Sequence, residues 1–226
     1  MIIVSVLKSG PEYQPGHARW LHQQLNDYDA ICMTDCLDIP GVRTTPLLYD
    51  FPAWWSKIEV FNPNHPCLGS EDLLLLDIDT VITGDLTPFF KQPGMTTLTD
   101  FYHEQSTLRP VGSAVMYIPA DIKAYIWTTF MASPLEWINR RQQPPFHGDQ
   151  GFLASILSPA RWQDVLPGAA VSYKKDIACQ GMPGWHPQRS QGNGDIPAGT
   201  RLVCFHGKPR PWDTGLEWVP APEGIV

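Results

Sequence analysis

The chain has 226 residues and a formal net charge of −7. That length suits one domain with a substantial core, and that charge excludes a broad electrostatic grip on nucleic acid or an anionic membrane, which would need basic clusters. Five cysteines (Cys32, Cys36, Cys67, Cys179 and Cys204), an odd number without a C-x-x-C pair, specify neither a disulfide framework nor a zinc knuckle and suit a reducing cytoplasm.

The opening Ile2–Leu7 is too short and lacks the basic start of a signal peptide. It reads as a first buried strand, and no run of about 18 apolar residues, as a membrane span needs, follows it. A Gly/Pro loop at Ser9-Gly10-Pro11 leads into a predicted helix from about Gly16 to Asn26, with Leu21, Leu25 and Tyr28 on its inner face. A short strand from Ala30 to Thr34 ends at Asp35. The stretch Trp54–Phe61 predicts a helix whose Trp54, Trp55, Ile58 and Phe61 form one apolar stripe.

The most informative segment is Leu73-Leu74-Leu75-Leu76-Asp77-Ile78-Asp79-Thr80. Four leucines predict a strand buried on both faces, as in a covered parallel sheet. Asp77 and Asp79 fall at its carboxyl end, where open α/β sheets place ligands, and in an extended chain they share one side. Such a pair calls for a cation, a proton or basic partners. Hard oxygen ligands favour Mg²⁺ or Mn²⁺, which commonly also hold nucleotide phosphates. An EF-hand is excluded, because Val81, Ile82 and Pro88 stand where that loop needs an oxygen ligand, Gly and Glu.

Beyond it, Thr83-Gly84-Asp85 predicts a turn and Leu86–Phe90 a short helical piece. Strands are expected at Met95–Thr99 and Ser113–Ile118, then a helix capped by Asp121 and running to about Met131. His147-Gly148-Asp149-Gln150 precedes another predicted helix, in which Phe152, Leu153, Ile156 and Leu157 keep helical spacing. Asp149 suits either a helix cap or contact with a polyhydroxylated substrate. Residues 177–199, rich in Gly, Pro, Asn and Gln, read as a long surface loop, either a flexible lid or disorder. A last strand, Leu202–Phe205, delivers His206, Gly207, Lys208 and Arg210. The histidine is a candidate metal ligand and the basic pair a candidate diphosphate contact. Strands alternating with helices predict an α/β sandwich.

Together these segments resemble the nucleotide-sugar glycosyltransferases of the glycosyltransferase-A fold, most closely the glycogenin and bacterial lipooligosaccharide galactosyltransferase group. Asp77-Ile78-Asp79 resembles that family's Asp-x-Asp, Asp149-Gln150-Gly151 its Asp-Gln-Asp, and His206, Gly207, Lys208-Pro209 and Trp212 its C-terminal His, Gly, Lys-Pro-Trp segment. Gly112–Met116 resembles a strand that often reads Asn-Ser-Gly-Val. Three departures stand out: Gly151 replaces the second Asp of Asp-Gln-Asp, His206 and Lys208 are closer than usual, and no Asn stands beside Ser113.

The resemblance implies a single domain over residues 1–226, with a mixed, mostly parallel central sheet flanked by helices. It implies a Mn²⁺ or Mg²⁺ ion held by Asp77, Asp79 and His206. The nucleotide pocket would be lined by Val6, Lys8, Asp35, Lys57, Asp77 and Ile78, with Lys208 or Arg210 on the diphosphate and Asp149 and Gln150 facing the sugar. The implied activity is transfer of a sugar from a nucleoside-diphosphate sugar, a UDP-sugar foremost, to a glycan, lipid or protein acceptor, with retention. An inverting enzyme would instead use Asp149 as base. A metal-dependent phosphohydrolase and a non-catalytic sugar-nucleotide or glycan-binding module are the other readings. A nucleotidyltransferase fits poorly, since Lys8–Glu12 is not a Gly-rich basic loop.

Overall fold

Leu73–Leu76 are wholly buried, and their side chains divide between two cores. Leu74 and Leu76 pack with Trp20, Leu21 and Tyr117, whereas Leu73 and Leu75 pack with Ile58, Phe130 and Phe152. Strand alternation sends successive side chains to opposite faces, and burial of each leucine is worth about 1.5–3 kcal/mol.

The computed structural model describes residues 1–104, 106–140 and 148–222. In chain order its elements are β1 (Ile2–Leu7), α1 (Pro15–Gln23), β2 (Ala30–Thr34), β3 (Thr44–Pro46), a 3-10 helix (Ala53–Phe61), β4 (Leu73–Leu76), β5 (Thr80–Ile82) and a 3-10 turn (Thr87–Phe89). There follow β6 (Thr96–Thr99), β7 (Val111–Ile118), α2 (Ala120–Met131), α3 (Pro134–Arg140), α4 (Gly148–Ile156), β8 (Ala160–Arg161) and α5 (Trp162–Val165). The chain continues through β9 (Ala170–Ser172), a π-helical turn (Tyr173–Ile177), β10 (Leu202–Cys204) and a 3-10 turn (Pro211–Asp213).

The main sheet has the order β3-β2-β1-β4-β7-β6-β8. β1 pairs in parallel with β2 and β4, β2 with β3 and β6 with β8, while β7 runs antiparallel to both neighbours. The mixed, mostly parallel sheet expected from the sequence is therefore present. A second sheet, β5-β10-β9, contributes Val81, Val203 and Val171 to the first core. Residues after Ile177 fold back on the π-helical turn: Gln191 N–H donates to the Lys175 carbonyl (2.6 Å) and Gly194 N–H to the Ile177 carbonyl (2.8 Å).

Three local expectations are corrected. Asp77-Ile78-Asp79 is a turn between β4 and β5, not extended chain, because the Asp77 N–H makes a last bond to the Ala114 carbonyl of β7 (2.8 Å) before the chain leaves for the second sheet. Asp121 lies in the first turn of α2, whose N-cap is Pro119. The Trp54–Phe61 segment is 3-10 rather than α, so side chains three apart eclipse. Trp55, Ile58 and Phe61 form the buried stripe, and Trp54, 48% exposed, shares a face with Lys57. Short β3, β5, β8 and β9 and helices α3 and α5 carry no periodic signal of their own.

Candidate active site

The site is built on the turn after β4. On one side, Lys57 Nζ donates to Asp77 Oδ1 (3.0 Å) and to Ser113 Oγ of β7 (2.9 Å), and lies 3.5 Å from Asp149 Oδ2. Burial works against the Lys57 charge, but Asp149 and Asp77 hold its pKa above the ordinary value. The Asp149 Oδ2 atom is buried and makes no hydrogen bond among the described residues. Asp149 is the second residue of α4, and Gly148 before it has φ +62° and sits so close to the Trp54 indole that a Cβ would come within 2.5 Å of Nε1. The 3-10 helix thus sets Trp54 against Gly148 and Lys57 against Asp149.

On the other side, Asp79, 4% exposed, accepts from Tyr13 OH (3.1 Å) and from Arg210 Nη1. Arg210 also pairs with Glu12, and its guanidinium lies 4.8 Å over the Tyr13 ring. Burial, then the charge of Asp77, push the Asp79 carboxyl up, against the pull of Arg210. Burial and Asp79 together keep the Tyr13 phenol protonated.

The C-terminal segment is stitched to this turn by Phe205 N–H, which donates to the Asp79 carbonyl (3.2 Å). His206 turns away: its Nε2 bonds Ser172 Oγ (2.7 Å), and its ring stacks on Phe101. Burial lowers its pKa to about 4.

No family model matches this sequence, and no curated protein does. Solved structures do. The galactosyltransferase LgtC, in complex with donor and acceptor sugar analogues, aligns with a TM-score of 0.57 at 13% identity over 94% of this chain and 89% of LgtC. GlyE, a glycosyltransferase of Streptococcus pneumoniae TIGR4, aligns with 0.61 at 14% identity over 94% of this chain and 56% of GlyE. The bifunctional glycosyltransferase WbbM aligns with 0.58 at 12% identity over 93% of this chain and 46% of WbbM. This chain has the glycosyltransferase-A fold. It spans about half the length of the last two proteins.

Within the glycosyltransferase-A fold, the residues singled out from the sequence separate into groups. Lys57, Asp77, Asp79, Asp149 and Arg210 converge. Gln150 follows Asp149 on α4 and is half-buried, and Ile78 is buried in a small core with Leu7, Cys32 and Ile39. Val6 pairs with Met33 on β2. Lys8 bonds Asp50 (2.6 Å) and lies 3.7 Å from Asp35, and Asp35 accepts from the Ser9 N–H and hydroxyl (both 2.9 Å). Lys208 has an exposed side chain, and its carbonyl accepts from Lys174 Nζ (3.0 Å). His147 lies outside the described residues.

The expected metal set of Asp77, Asp79 and His206 is not assembled. Among the described residues no three His, Cys, Asp or Glu side chains could hold an ion together, and His206 bonds Ser172 instead. Asp77 and Asp79 do suit a hard divalent cation: both are carboxylates, on one tight turn, and the charge of Asp77 raises the pKa of Asp79. Glu12, Tyr13, Ser172 and Lys174 escaped the sequence reading of the site, since none carries a local pattern, and Ser113 entered it only through the resemblance of Gly112–Met116, without a role. A cavity of about 420 Å³ lined by Leu108, Arg109, Arg161 and Asp164 contains none of the site carboxylates. No helix among the described residues is long and apolar enough to cross a membrane.

Proposed function

We propose that this protein is a metal-dependent glycosyltransferase that moves a sugar from a nucleoside-diphosphate sugar, a UDP-sugar foremost, to an acceptor hydroxyl with retention. The observation that carries this reading is the acidic turn at the carboxyl end of β4, with Lys57 on one carboxylate and Arg210 on the other. Asp77 and Asp79 would hold Mn²⁺ or Mg²⁺, which when bound supplies Lewis-acid stabilisation of the departing diphosphate. Lys57 fixes Asp77, Ser113 and Asp149 in one arrangement. Arg210 supplies a fixed positive charge where negative charge develops. The buried Asp149 oxygen, without a hydrogen bond among the described residues, is the acceptor that a sugar hydroxyl would satisfy, and Gln150, next on α4, would face the reacting side.

The test is calorimetric titration with UDP, GDP, ADP and CDP, with and without Mn²⁺, on the native protein and Asp79→Asn. Binding of one nucleoside diphosphate that needs both Mn²⁺ and Asp79 is the expected result. That nucleotide selects donors for turnover, and NMR of the product reads the anomeric configuration. If none of the four binds under either condition, the reading is wrong.

A further inference from the structure

We infer that Lys174 is a diphosphate-binding residue of this site, its ammonium and the bare backbone at Gly207 together gripping the terminal phosphate of a nucleoside diphosphate; this rests on the glycosyl-transfer reading above. The sheet brings the two together. β9 and β10 are parallel neighbours with Ser172 opposite Cys204, so the residues that follow each strand emerge side by side at one carboxyl edge. The π-helical turn begins at once after Ser172 and places Lys174 beside the segment that follows Cys204. Lys174 Nζ donates to the Lys208 carbonyl (3.0 Å) and stands 3.5 Å from where a Cβ on Gly207 would be. Gly207 has φ +72°, a conformation glycine adopts without steric cost, and it leaves the backbone open beside the ammonium.

The charge around Lys174 also points to an anion. Lys174 is half-buried, and among the described residues no carboxylate forms an ion pair with it. Among the described residues its surroundings include Arg210 and Arg189 against the acidic Asp79, and burial followed by Arg210 lowers its pKa. Lys174 in turn adds to the lowering at His206. In a protein of net charge −7, Lys174 with Arg210 and Arg189 acting on it near Asp79 holds a local field for an anionic group. Lys174 therefore takes the place that the sequence offered to Lys208, whose side chain is exposed.

The experiment compares native protein, Lys174→Gln and Lys174→Arg by calorimetry in Mn²⁺. The probes are the nucleoside diphosphate that binds native protein most tightly and its monophosphate. Loss of one charge-assisted contact should weaken diphosphate binding about tenfold in Lys174→Gln. The monophosphate should stay within about twofold, and Lys174→Arg should recover most of the loss. Lys174→Met, which keeps the stem that packs on Gly184, serves if the Gln variant does not fold. Equal losses for both nucleotides, or no loss for either, overturn the assignment while the transferase reading stands. If native protein binds no nucleoside diphosphate, the transferase reading fails first and takes this inference with it.

Discussion

The Lys57 ammonium lies 3.5 Å from Asp149 Oδ2, joining the 3-10 helix before β4 to the first turn of α4, and it bonds Asp77 with the same nitrogen. The Lys57 side chain is 13% exposed and that of Asp149 4% exposed, so water screens neither. Lys57→Met should lower stability by roughly 3–5 kcal/mol, the usual consequence of leaving a buried charge unpaired. The double variant with Asp149→Asn should recover part of that loss. Urea denaturation of the four proteins gives the coupling; strictly additive losses would mean the pair is energetically uncoupled.

Gly148→Ala should destabilise the protein by on the order of 1–3 kcal/mol, because the new methyl meets the Trp54 indole and φ is +62°. Adding Trp54→Ala removes the collision and not the backbone cost, so thermal denaturation should show partial recovery. Full recovery would place the whole effect in the collision.

His22 is buried against Ser5, with Nε2 and Oγ 2.9 Å apart, and burial lowers its pKa from 6.5 to about 4. The unfolded chain then binds more protons than the folded one between those values, so stability rises with pH across the window. It is complete above about pH 6.5 and is lost as pH falls toward 4, by about 3 kcal/mol in full. His22→Gln, which keeps a partner for Ser5, should flatten urea-derived stability between pH 4 and 6.5. An unchanged slope would assign acid sensitivity to other groups, His206 first among them.

Mn²⁺ without nucleotide should raise the melting temperature, since a ligand specific to the folded state adds about 2.7 kcal/mol at a hundredfold excess over Kd. Asp77→Asn should abolish that shift. A shift of equal size in the variant would put the cation somewhere other than the turn after β4.

Periodicity and local chemistry made much of the frame legible. Ile2–Leu7, the four leucines and the helical spacing after Asp149 identify β1, β4 and α4, and the abrupt change from Leu76 to Asp77 marks the strand end that carries the site. The Trp54–Phe61 stripe was legible as a helix but not as a 3-10 helix, because Trp55, Ile58 and Phe61 fit either period. The pairing of His206 with Ser172 was not legible, since nothing near His206 in sequence reveals that partner.

The sequence by itself determined which strand ends in carboxylates, which segments are buried and where the cations and the candidate histidine stand along the chain. Those properties depend on residues within one element, whose apolar spacing and flanking polar groups act over a few positions. Only the tertiary structure decided the pairings. Arg210 reaches Asp79 across 131 residues, Lys57 selects Asp77, Ser113 and Asp149 at once, and Lys174 arrives beside Gly207 because β9 and β10 run in parallel register. Strand order and register are set by the summed packing of both cores, and that sum brings together side chains for which no local pattern exists.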